Sequence, residues 1–231
     1  MQYRFILQTA SIILLAVSLT ASKAPRVPSL NVPACPKQAQ IEYNKSVPKL
    51  TDFPSTTVDL CYGVSTLELV FTAYKETSFY YNPSHKTNDD LYKYEVMEAF
   101  ISRGTNDPQT YLEIEISPAN VTYQSFIYNP GKGIETNTAF DNILIPTPVA
   151  DGFSARTSLN KQKQIWISQF SVPLGLFNVE KDSAKGTHWR MNFFRTVTNA
   201  TYFPNQVLGA WSPSNKPNFH ITPYFGHIRF V

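Results

Sequence analysis

Cysteine is almost missing from this 231-residue chain, with Cys35 and Cys61 the only two. With no CxxC pair and no second set of thiols, structural zinc, iron–sulfur and dithiol redox chemistry have no ligands to work with. What two such cysteines do suit is a single disulfide in an oxidising compartment, stabilising the fold by about 3–4 kcal/mol. Charge is also scarce: Asp, Glu, Lys and Arg make up 16% of residues, and 20 basic side chains face 17 acidic ones. That balance excludes the basic stripe of a nucleic-acid binder. The histidines, His85, His188, His220 and His227, form no HExxH or paired spacing. No G-x-S-x-G elbow occurs, and Gly131-Lys132-Gly133 is too short to cradle a phosphate. Zinc hydrolysis, nucleophilic catalysis and nucleotide binding therefore find no motif.

Long apolar runs are absent too. The one clean run, Ser11 to Leu19, follows Arg4 and precedes the small residues Thr20, Ala21 and Ser22. This is the order of a secretory signal peptide, and it falls short of the roughly 18–20 residues that span a bilayer. We read residues 1–21 as the signal and expect an extracellular protein with no membrane anchor. Three acceptor sequons, at Asn44, Asn120 and Asn199, point to a secreted glycoprotein. Residues 22–34 hold three prolines and little periodicity, and read as a mobile leader.

From Cys35 to Val231 prolines recur every ten to twenty residues, which rules out long helices and marks strand ends. In Tyr111 to Ile116, Leu112, Ile114 and Ile116 share one face while Tyr111, Glu113 and Glu115 share the other. That period of two describes a half-buried antiparallel strand, and Pro118-Ala119-Asn120 turns it into Val121 to Tyr128 as a hairpin. Further strands are expected at Thr66–Ala73, Glu95–Ile101, Phe153–Leu159, Ile165–Val172, Trp189–Val197 and Phe225–Val231, with a helical turn near Leu174–Phe177. The fold class is all-β: one domain over 35–231, an immunoglobulin-like antiparallel β-sandwich, expected to be a monomer.

Glycoside hydrolysis calls for two carboxylates across a cleft. Glu113 and Glu115 share a strand face but read as its solvated side, and Glu95 and Glu98 point to opposite faces. Asp89-Asp90 after Asn88 is an oxygen-rich stretch that lacks the regular ligand spacing of a calcium loop, so calcium stands as a possible ion and no cofactor is expected. In Trp189 to Arg195, Arg190 and Asn192 share the face away from Trp189, Met191 and Phe193. As exposed planar polar groups they suit hydrogen bonds to sugar hydroxyls; the other reading pairs Arg190 or Arg195 with a strand acid.

Four blocks in order carry a family resemblance: Tyr94–Ile101, Tyr111–Pro118, Trp166–Leu176 and Trp189–Arg195, closed by Ala210–Pro213 and Phe219–Gly226. Together they resemble the family 9 carbohydrate-binding modules, in their fungal secreted, DOMON-related form. The resemblance implies a non-catalytic β-sandwich that binds a polysaccharide or oligosaccharide of plant or fungal walls, as modules attached to plant-wall hydrolases do. It also implies a pair of tryptophans holding the sugar, and here the chain departs, with Leu91 and Tyr92, then Phe219 and His220, at those places. The expected carbohydrate-binding set is Tyr92, Glu98, Arg190, Asn192, Trp211, Phe219 and His220. Trp166 and Trp189 read as core. Two other classes stay open: an O-glycosyl hydrolase, and a haem module using Met97 or Met191 with a histidine.

Overall fold

In the computed structural model, which describes residues 24–231, the alternating segments become strands; the signal segment lies outside the described residues. Thirteen strands are present among them. They begin with β1 (Ser29–Val32), β2 (Ala39–Val47), β3 (Asp52–Tyr62) and β4 (Thr66–Tyr74). The middle of the chain supplies β5 (Val96–Arg103), β6 (Thr110–Ile116), β7 (Thr122–Tyr128) and β8 (Asp141–Leu144). It ends with β9 (Ser154–Asn160), β10 (Ile165–Pro173), β11 (His188–Val197), β12 (Val207–Ala210) and β13 (Gly226–Phe230). The helical turn expected after β10 is a 3₁₀ turn, Leu174–Phe177.

The strands run β8-β7-β6-β5-β11-β12-β2-β3-β4-β10-β9, and β13 joins β11 and β1. The two halves are joined by the short β12–β2 pairing, Leu208 with Val47 and Gly209 with Ser46, and by a bridge from Ala34, just after β1, to Tyr62 of β3, so the sheet curls over on itself into a sandwich. One half contributes Val58, Leu60, Leu67, Leu69, Phe71, Trp166 and Phe170 to the core. The other contributes Met97, Ala99, Ile101, Leu112, Ile114, Met191 and Phe193. Phe71 and Phe193 meet edge-on across the gap with ring centroids 6.0 Å apart. In β4 the alternation is clean, because Leu67, Leu69, Phe71 and Ala73 face inward. The all-β sandwich expected from the periodicity is the observed fold.

The amino-terminal stretch differs from the expectation. Ser29–Val32, read as part of a mobile leader, pairs in parallel with β13 from Ser29–His227 to Val32–Phe230, and Val32 is fully buried. Its prolines flank the strand, where a missing N–H costs no ladder bond. Cys35 and Cys61 form the disulfide, tying the end of this edge to β3.

β6 is the instructive strand. Its outer face, Tyr111, Glu113 and Glu115, is as buried as its inner one, which corrects the expectation of a solvated side. A second apolar cluster, with Phe100, Tyr111, Ile127, Phe194 and Phe225, lies on this outer face. The chain after β12 folds back over it, and that cover is what positions the site.

Candidate functional site

Arg190 and Asn192 hold the cover down. Both were expected to be exposed, but both are buried. Arg190 donates through Nη1 to Asp107 Oδ1 at 2.7 Å and through Nε to the Phe225 carbonyl at 3.0 Å. Asn192 donates Nδ2 to the Ser212 carbonyl at 2.9 Å and accepts the Ser212 N–H at 3.0 Å. Their planar polar groups are bonded to backbone groups of residues 212–225 and, for Arg190, to Asp107 and the Thr105 carbonyl, because the 212–225 segment crosses the strand face periodicity left open. They brace the covering segment and do not line the cleft. Arg190 does pair with an acid, but with Asp107 in the loop between β5 and β6 rather than with Glu95, Glu98 or another strand acid as the alternative reading had it.

Beyond this anchored stretch, Phe219 stacks on Phe194 with centroids 4.1 Å apart. His220 Nδ1 lies 2.6 Å from the Tyr111 hydroxyl, and its carbonyl accepts Asn129 Nδ2 at 2.8 Å. Burial of the ring pushes the His220 pKa down to about 4, so it is neutral at ordinary pH. Phe219 and His220 form one wall of a cleft of about 640 Å³. Tyr92, 52% exposed on the 3₁₀ turn Leu91–Lys93, stands on its rim, as does the exposed Phe140. Leu144 and Leu208 complete an apolar border. A volume of this size falls in the range that takes small ligands.

Three carboxylates make the floor: Glu98 from β5, and Glu113 and Glu115 from β6. Glu98 stands directly opposite Glu115 in the β5–β6 register, an arrangement of like charges that ordinarily destabilises a sheet. One oxygen from each of the three lies within 4.8 Å of the others. Burial, reinforced by the neighbouring acids, raises the pKa of Glu98 and of Glu115 well above the ordinary carboxylate range, and burial raises that of Glu113 to about 7. Glu115 Oε2 is buried and has no hydrogen-bond partner. Among the described residues lining the cleft there is no Lys or Arg.

Of the expected site residues, the cleft therefore brings together Tyr92, Glu98, Phe219 and His220. Arg190 and Asn192 lie behind it as anchors. Trp211 lies elsewhere, half-buried on the core against Phe193 and over Gly226, where its ring leaves no room for a Cβ. Glu113 and Glu115 were missed as site residues. The signal that finds them is the Glu98–Glu115 register, which follows once β5 and β6 are paired. Asp89 accepts the Lys86 N–H at 2.7 Å; Asp90 lines the cleft but stays out of the three-carboxylate cluster, its carboxylate paired with Lys93 at 2.6 Å. Met97 and Met191 sit in the inner core, on the other side of the sheet from His220. Asn44 and Asn120 are exposed and Asn199 is half-buried.

No protein-family model matches the chain. Its fold is that of β-sandwich carbohydrate-binding proteins. A Bacteroides uniformis ATCC 8492 protein, proposed to bind carbohydrate, superposes with a TM-score of 0.63 at 14% identity, over 88% of this chain and 99% of that one. A family 9 carbohydrate-binding module from Caldicellulosiruptor kristjanssonii, solved with cellotriose, superposes with a TM-score of 0.54 at 13% identity, over 87% and 93%. At those identities the likeness is one of fold. The sequence relationship lies with Arthroderma benhamiae: the chain is 52% identical, over 88% of its length and 91% of the relative's, to a protein named "Extracellular protein". It belongs to that protein's family.

Proposed function

We propose that this is a secreted, non-catalytic protein that binds a wall polysaccharide or oligosaccharide in the cleft floored by Glu98, Glu113 and Glu115. The observation that carries the reading is the pairing of exposed aromatic rims, Tyr92 and Phe140, with buried hydrogen-bond acceptors below them. A pyranose needs both: an apolar plane for its C–H face and polar groups for its hydroxyls. The fold shared with proteins crystallised on cellotriose and glucose supports it. Export is supported by the name of the Arthroderma relative, and among the described residues no helix is long and apolar enough to cross a membrane. Asn44, Asn120 and Asn199 are the proposed glycan acceptors.

Binding is favoured over hydrolysis by geometry. Glycosidase carboxylates stand across the scissile bond, about 5–5.5 Å apart in retaining enzymes and about 6.5–9.5 Å in inverting ones. Here the three carboxyl groups crowd within 4.8 Å on one floor, all on the same side of any bound chain.

The test is a pull-down on insoluble wall polysaccharides and a glycan array, with wild type and Tyr92→Ala. Tyr92 is exposed, so its truncation leaves the fold intact. Retention of wild type with a loss of at least about fivefold in Tyr92→Ala is expected, since a stacked aromatic contributes about 1 kcal/mol or more. Equal behaviour of the two proteins would place the sugar site elsewhere.

A further inference from the structure

The acidic floor asks for a positive charge that the protein does not provide. Elsewhere the fold meets this need internally: Arg195 Nη2 of β11 lies 2.7 Å from Glu76 Oε2, just after β4, in the inner core. In the cleft, three buried carboxylates face one another with no Lys or Arg among the described lining residues, and the Glu115 Oε2 atom is buried without a partner. Two like charges at this separation repel by a few kcal/mol even at an effective dielectric of about 20. The free floor escapes that repulsion by holding protons, and a carbohydrate with only neutral hydroxyls leaves it so, whereas one carrying an ammonium can take the place of those protons and pair with the carboxylates.

Resting on the proposed sugar-binding role, we infer that the cleft recognises amino sugars: chains of glucosamine-type residues with a free ammonium, held by Glu98, Glu113 and Glu115. An ammonium has three N–H donors set around one centre, and the floor presents three carboxylates around one point. The ring of the same residue would then lie toward the rim, within the reach of Tyr92 and Phe219. A hard divalent cation fits less well. It takes six to eight oxygen ligands, commonly including backbone carbonyls. Here the floor is the middle of a sheet, where the carbonyls of β5 and β6 are committed to the ladder. N-acetylation, which converts the ammonium to a neutral amide, takes away the charge the floor is built for.

The experiment is calorimetric titration of the purified protein, at pH 7, where Glu113 gives up its proton, and about 0.15 M salt, with three trisaccharides: the glucosamine trimer, its fully N-acetylated form, and cellotriose. At this salt surface attraction is screened beyond about 8 Å, so a buried site is what remains. The glucosamine trimer is expected to bind at least about tenfold more tightly than the other two, and Glu115→Gln to abolish that preference. Glu115→Gln removes one of two facing acids and keeps the shape of the side chain, so a matching melting temperature shows that folding is not the cause. Equal binding of all three trisaccharides, or a preference that survives in Glu115→Gln, overturns the amino-sugar assignment and leaves sugar binding standing. No binding by any of them overturns both. A separate melt with calcium chloride and with chelator completes the set. A rise in stability with calcium that vanishes in Glu115→Gln makes the floor a metal site and overturns the assignment.

Discussion

Two acidic groups, a few residues apart in sequence, end on opposite faces of one sheet and are treated in opposite ways. Glu95, just before β5, turns inward and joins Glu76 and Arg195. Arg195 is wholly buried and bonds to Glu76, to the Thr56 hydroxyl and to the Tyr74 carbonyl. Glu95 accepts the Tyr80 N–H at 2.7 Å, and burial, with the Glu76 charge, raises its pKa to about 8. The guanidinium pairs with Glu76 alone, and Glu95 beside them keeps Oε1 without a hydrogen-bond partner, so the internal salt bridge is Arg195–Glu76. Glu98, three residues on, turns outward and joins Glu113 and Glu115, which have no such partner. A buried charge that the fold compensates is structure; one it leaves uncompensated beside an open cleft marks a place for a ligand.

Breaking the compensated group should have the largest effect. Arg195→Met strands the Glu76 carboxylate in the core, and a loss of about 3–5 kcal/mol in urea unfolding is expected. A variant that unfolds at the wild-type midpoint would mean that water or a proton already satisfies Glu76.

The uncompensated group sharpens the comparison through pH. A carboxyl group whose pKa is raised on folding holds a proton in the native state that the unfolded chain has released. Its contribution to stability is therefore complete below the unfolded value, near 4.5, and is lost as pH rises through the folded value, about 7 for Glu113. From pH 4.5 to 7 this amounts to about 3 kcal/mol for that one group. The Glu113→Gln/Glu115→Gln double variant should show a flatter stability profile over this window than wild type. His220, whose pKa is lowered, acts in the other direction in both proteins, its contribution being lost as pH falls from 6.5 toward 4, so it cancels in the difference. Superimposable profiles would show that these carboxyl groups are not raised.

The smallest effect expected is from Glu115→Gln alone at pH 8. Relief of the like-charge contact with Glu98 should stabilise the protein by about 1 kcal/mol, read as a higher melting temperature. A loss of stability would instead show that Glu115 is held by a partner in solution.

Much of this was legible from residue order. Alternation placed β4, β6, β10 and β11 to within a residue or two, because each has an inner face of large apolar side chains and turn residues at its ends. It could not show β1, β8 or β12, which are four residues long with too few positions to display a period. Nor did it find β2 and β3, whose alternation is diluted by Pro54 and by runs of Thr, Lys and Asn. Glu98, Tyr92, Phe219 and His220, expected together, do line one cleft. Arg190, Asn192 and Trp211 were placed in the site although they lie outside the cleft, and Glu113 and Glu115 were passed over as a wet strand face.

Those misses share one cause. A period of two says which side chains share a face, and by itself it determined here an all-β sandwich with its inner core, including the opposite placement of Glu95 and Glu98. Whether the other face meets water is decided by what crosses it. Only the tertiary structure lays residues 212–225 over the outer side of β11. That single covering segment turns Arg190 and Asn192 from exposed donors into backbone clamps and, together with strand register, gathers Glu98, Glu113 and Glu115 into one buried floor. Contacts between residues a hundred positions apart, such as Tyr111 with His220, carry no local signature, because neither residue constrains its own neighbours to reveal them.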